Sequence, residues 1–282
     1  MDPKRNLQGL LFLIVFSFTA TLWISCGEAP PPPKDEEITT DTASVQAKVA
    51  LDQIFVNIPP PMELSKELSK GGLNYNKSLL NPSTRSSSYT TNLKAAANLG
   101  AYGADLSYTI AYGQTQDALG YLNAIRQLAD KVGVGAAFDE NMIKRFEGNV
   151  SNKDTMEAII SDAYDKASRN LRSNERVSTA AVVAAGGWVE GLHITVQALN
   201  GVPKEQKNEQ AFQRVWNQVY AYKYIEELLN LYKNNPDCAQ MLKDLEPMKE
   251  LVDIYTKQVT VKEDEIKALS EKLTPIRNSM IN

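Results

Sequence analysis

The chain has 282 residues, with 30 lysines and arginines against 34 aspartates and glutamates, and a formal net charge of −4. So mild an acidic balance gives no reason to expect nucleic acid or an anionic membrane surface as a partner. Two cysteines and one histidine leave little material for disulfides, a histidine-based metal site or histidine catalysis.

The N-terminus carries the strongest local signal. Lys4 and Arg5 give a positive start, an apolar run follows from Leu7 to Ile24, and the small Ser25 stands directly before Cys26. Charge, short apolar stretch and small residue, in that order, read as a secretory signal. With the cysteine added, the segment resembles a bacterial lipoprotein signal peptide. The resemblance implies cleavage before Cys26, lipidation of that cysteine with palmitate-type chains, and tethering to the outer membrane, on its periplasmic face or at the cell surface. One position departs from the common pattern: Trp23 stands three residues before the cysteine in place of leucine, with Leu22 one step earlier.

Two other readings stay open at this point. As an uncleaved anchor, the run falls just short of the ~20 residues needed to span a bilayer, and Ser17, Thr19 and Thr21 interrupt it. As an ordinary secretory signal, it leaves Cys26 incidental. Lipid would hold the protein without a spanning helix, because one acyl chain binds marginally whereas the two or three that the resemblance implies anchor stably. No other stretch reads as long and apolar enough to span. Removing residues 1–25 takes away two basic residues and one acidic one, for a net charge of −5. Cys238 is then left without an intramolecular partner and reads as a buried structural thiol.

Residues 26–39 read as the lipidated cysteine and a flexible linker. Pro30 to Pro33 cannot form a helix and favour an extended spacer at ~3.1 Å per residue. The Lys34-Asp35-Glu36-Glu37 run that follows resembles the acidic export tag of surface-displayed lipoproteins of Bacteroidota, although that tag abuts the cysteine more closely.

Residues 40–282 read as a single α-helical domain, because period-2 alternation is absent and helical punctuation is frequent. The pattern predicts a helix from Asp41 to Ile58, stopped by Pro59-Pro60-Pro61. A short helix from Met62 to Lys70 ends at Gly71-Gly72, and residues 71–88 form a long loop of the kind that is functional or mobile. A helical region capped by Ser88 extends to Lys131, broken near Gly113 to Thr115. Asp139 to Phe146 is a short helix, and Ser151 opens another that runs to about Asn170. Further helices span Ser173–Leu199, closed by Asn200-Gly201, and Lys204–Lys233. A short turn follows Pro236, and a last helix runs from Glu246-Pro247 to the C-terminus with a kink at Pro275. The expectation is an all-α bundle of about six to eight long antiparallel helices, with no sheet.

Within it, Ala97, Ala101, Ala104 and Ala111 share one helix face, and Ala180, Ala184, Gly187 and Gly191 share another. Interior glycines cost ~1 kcal/mol each relative to alanine, which close approach of two backbones would offset. The Lys204–Lys233 helix is apolar over a wide arc and reads as central, and the last helix, rich in charge, as a surface element.

Chemistry is sparse. His193 has Glu190 three residues before it but no second histidine, so no metal or cofactor is expected. No nucleophile elbow or phosphate-binding glycine loop appears. Aromatic residues Trp216, Tyr220 and Tyr224 recur every fourth position, and Trp188, with Tyr108 and Tyr112, forms a second aromatic group. These side chains line either a ligand cleft or the core. The function expected is binding: an envelope lipoprotein that is a subunit of an outer-membrane assembly or takes a small ligand. The alternative is a glycan-cleaving enzyme working through two carboxylates among Asp105, Glu147 and Glu190, which would have to converge in one pocket ~5–9.5 Å apart.

Overall fold

The computed structural model of the chain describes Val49 and residues 51–173 and 176–282. Cys26, the segment before it, the linker and the start of the first expected helix lie outside the described residues. Those residues form a helical stretch ending at residue 56, ten further α-helices and four short 3-10 turns, with no strand among them. The all-α class is as the sequence pattern requires.

Residues 51–56 are helical and stop before the three prolines. Helix α1 (Pro61–Lys70) begins on the third of them, since a proline at the first helical position loses no hydrogen bond. Helix α2 (Asn92–Ala111) is capped not by Ser88 but by Thr91, whose hydroxyl accepts from the Lys94 N–H. Gly113, with φ +67°, turns the chain into α3 (Thr115–Lys131). Helix α4 (Glu140–Glu147) is capped by Asp139. At the start of α5 (Lys153–Ser173) it is Asn152, rather than Ser151, whose side chain accepts from the Thr155 N–H. Helix α6 (Val177–Leu199) runs unbroken through Gly186-Gly187. Then come α7 (Glu209–Leu231) and α8 (Pro236–Leu245).

The expected long last helix is two: α9 (Lys249–Tyr255) and α10 (Glu263–Ile281). In the turn between them Val259 is exposed, although it falls on the apolar spacing. The Glu265 carboxylate caps α10 by accepting from the Lys262 N–H. Pro275 lies inside α10 without ending it.

The centre is the α2–α6 pair, not α7. Every residue of α2 from Ala95 to Ala111 and of α6 from Ala185 to Val196 is buried. A helix buried on all sides is a core helix. Contrary to the sequence reading, a second stretch, α6, is long and apolar enough by composition to cross a membrane, but it is almost wholly buried inside the domain.

The small residues foreseen on these helices do bring the backbones together, at a shifted register. A Cβ on Gly186 would overlap the Ala97 carbonyl, and one on Gly100 would overlap the carbonyl of Val183. Gly187 is looser, its nearest neighbour being the Gly100 oxygen at 3.2 Å from an added Cβ. Ala97 faces Gly186 and Ala104 faces Gly191, so the central pair runs parallel. Helix α10 lies antiparallel to α6: Gln197 bonds Ser270 and Thr274, and Glu190 bonds Arg277. The last helix is therefore a core partner on one side.

The 71–88 segment is clamped instead of loose. It holds two 3-10 turns, Lys77–Leu79 and Ser83–Ser88. Tyr75 stacks on Tyr108 and donates to Asp117, which also pairs with Lys77. Burial opposes the charge on Asp117, but the bonds from Lys77 and Tyr75 outweigh it and hold the carboxyl below its ordinary value. Asn81, fully buried, bonds Tyr89 and Asn98.

Candidate functional site

Two features of the interior carry chemistry: a cleft and a buried charge cluster. The cleft has a volume of about 580 Å³. Its floor is the α2–α6 seam, where Gly100, Gly103, Ala184 and Gly187 lack the side chains that fill the bundle elsewhere. Helix α5 supplies one wall through Glu157, Ser161 and Tyr164, and residues 55–66 supply the other through Phe55, Ile58, Pro60 and Met62. Trp188 closes one side.

The walls are fixed from behind. Arg172 of α5 pairs with Asp52, and its guanidinium lies 5.0 Å from the Phe55 ring centre. Arg214 of α7 pairs with Glu63 at 3.2 Å. The Tyr164 hydroxyl donates to the Leu99 carbonyl at 3.3 Å, and an added Cβ on Gly103 would overlap that hydroxyl. The ring of Trp188 is buried, and its Nε1 donates to the Gln218 carbonyl at 2.9 Å.

Glu157 is the polar centre of the cleft. It is 8% exposed, and its Oε2 pairs with Lys66 Nζ at 2.5 Å. Its Oε1 is buried and accepts no hydrogen bond.

The remaining aromatic candidates lie elsewhere. Trp216, Tyr220 and Tyr224 form a half-buried ladder on α7, with ring centres 5.4 and 6.3 Å apart. Trp216 donates to the Tyr255 carbonyl, and Lys223 lies over the Tyr220 ring at 3.4 Å. None of the three lines the cleft. Tyr108 and Tyr112 join Tyr75 beside the 71–88 segment, apart from Trp188.

The charge cluster joins three helices. Arg277 of α10 donates through Nε and Nη2 to both oxygens of Glu190 on α6, and Nη2 also reaches the Leu79 carbonyl. Asp105 of α2 is fully buried beside them, and neither of its oxygens accepts a hydrogen bond, although the Asn81 N–H lies close. Burial, then the charge of Glu190, pushes the Asp105 carboxyl well above its ordinary value, with Arg277 opposing. The two acids thus share one buried site with a single guanidinium and solvent-free surroundings, which favours the neutral form of Asp105. Burial opposes the charge on Arg277, but the bonds and charge of Glu190 outweigh it and hold the guanidinium above its ordinary value. His193, one turn along α6, is pushed down to about 3 by burial and then by Arg277, so it is neutral.

Asp105 and Glu190 thus converge, but inside the core and outside the cleft lining. Glu147 is exposed on α4. Among the described residues no cluster of three or more His, Cys, Asp or Glu side chains is placed to hold a metal ion. Cys238 is fully buried, its thiol facing the Ser178 carbonyl, and burial followed by the charge of Asp237 pushes it up to about 11.

Neither the cleft nor Arg277 was singled out from sequence. One signal for the cluster was present: Asp105 is the only acid in α2, and Glu190 the only acid in α6. A charge in a helix apolar on all faces demands a partner. No protein-family model, curated protein or solved structure matches the chain.

Proposed function

We propose that the chain is a lipid-anchored protein of the bacterial cell envelope, held at the outer membrane through Cys26, that binds a largely apolar ligand in the cleft between α2, α5 and α6. The observation that carries the binding part is the cleft itself. Its volume of about 580 Å³ lies within the ~300–1,000 Å³ of small-molecule sites, and its lining is largely apolar, with charged residues among which Glu157 is the buried carboxylate. The address rests on the order of charge, apolar run, Ser25 and Cys26. The proline-rich linker would stand the domain off the bilayer.

The carboxylate-enzyme alternative gains less. A glycan must reach both carboxylates, whereas Asp105 and Glu190 are both fully buried and Glu190 is engaged by Arg277.

The test is photolabelling of the full chain in isolated membranes with an alkyl chain bearing a photoreactive group, followed by peptide mapping. Label is expected on α5 and α6 around Tyr164 and Trp188. Ala184→Phe, which places a ring in the cleft, is expected to abolish that label with its melting temperature retained. Label spread evenly over the surface, or unchanged by Ala184→Phe, overturns the proposal.

A further inference from the structure

We infer that the cleft selects amphiphiles with a protonated amine head, an alkylamine being the simplest, and that Glu157 Oε1 receives that head. The inference rests on reading the cleft as a ligand site and adds the ligand's chemical class. Three observations support it. Glu157 Oε1 is buried at the cleft and has no donor, and a buried acceptor left unmade is costly, so a ligand N–H that meets it recovers that loss. Among the described lining residues Lys66 is the only cation, and it already pairs with Glu157 Oε2, so an anionic head would have to compete with Glu157 for it. The other charged lining residues are all acids: Glu63, Asp154 and Asp165.

Some of that acidity has structural duties. Glu63 is paired with Arg214, and Asp154 lies in the first turn of α5, where the helix terminus favours an anion. Glu157 Oε1 has no such duty. An ammonium head there would make a charge-assisted bond in a water-poor setting, with its alkyl tail along the glycine-lined floor.

The photolabelled full chain supplies the test, with dodecylamine and dodecanoate as competitors of equal chain length. Dodecylamine is expected to displace the label at a concentration about tenfold lower, the scale of one charge-assisted hydrogen bond. Glu157→Gln is expected to abolish the preference. Lys66→Met, which frees both carboxylate oxygens for the head, is expected to widen it. A merely structural Glu157 would move both competitors together and would not give opposite shifts.

Equal competition, or a preference for dodecanoate, overturns the inference while cleft labelling still supports the cleft as a site. An unchanged ratio in Lys66→Met overturns it even if Glu157→Gln fails to accumulate. Absence of cleft labelling in the unsubstituted chain overturns both readings.

Discussion

Arg277 and Glu190, 87 residues apart, form a bidentate ion pair at 2.9 and 2.7 Å that latches the C-terminal helix to the core helix. Their side chains are 10% and 0% exposed. In such a pair desolvation offsets most of the attraction, so its loss as a unit costs little, whereas loss of one partner strands a buried charge. Arg277→Met is therefore expected to cost ~3–5 kcal/mol in urea unfolding. Adding Glu190→Gln is expected to restore much of it. Additive losses in the double variant would contradict the coupling.

Two buried groups give stability opposite dependences on pH. His193 titrates at about 3 in the fold against 6.5 ordinarily, so over that window the unfolded chain binds more protons. Stability is lost as pH falls through that window. Asp105 is shifted upward from 3.8, so the folded chain holds the extra proton and stability is lost as pH rises above that value. His193→Gln is expected to flatten the acid limb of a melting-temperature profile. Asp105→Asn, which keeps the shape of the neutral acid without its titration, is expected to stabilise near pH 8 and to have little effect near pH 4. A uniform shift at all pH values would refute the assignment.

The backbone contact between α2 and α6 predicts an order among glycine substitutions. Gly100→Ala and Gly186→Ala each drive a methyl into a carbonyl and are expected to cost at least ~3 kcal/mol, the upper end of overpacking. Gly187→Ala meets its neighbour only at 3.2 Å and gains helix propensity, so a change under ~1 kcal/mol is expected. Thermal unfolding of the three variants checks the order.

Cys26→Ala is expected to leave the chain unprocessed or to move it from membrane to soluble fractions. Normal membrane retention of a processed Cys26→Ala protein would remove the lipid anchor from the account.

Local punctuation made most helix boundaries legible. Pro59 to Pro61, Gly113 and Asn200-Gly201 act through backbone geometry, and Asp139 through its side-chain cap on Met142, all within a few residues. The break between α9 and α10 was hidden because residues 256–262 contain neither glycine nor proline, and Val259 continues the apolar spacing into solvent. The alanine and glycine stripes identified α2 and α6 as close partners, but not Gly100 and Gly186 as the tightest points. Helical spacing defines a face, whereas register depends on both helices at once. The cleft was not legible, since its walls come from four segments distant in sequence. Glu157 looks like any other acid of an amphipathic helix until Lys66 and the glycines of α2 are brought beside it.

The most direct test is the mass of the protein released from its own membranes, recorded intact and after denaturation. The account predicts a chain beginning at Cys26 with acyl mass that survives denaturation. It also predicts an additional species whose extra mass is lost on denaturation and absent from Ala184→Phe. A bare thiol at Cys26 or a retained residue 1–25 segment, with identical intact spectra for both proteins, would contradict it.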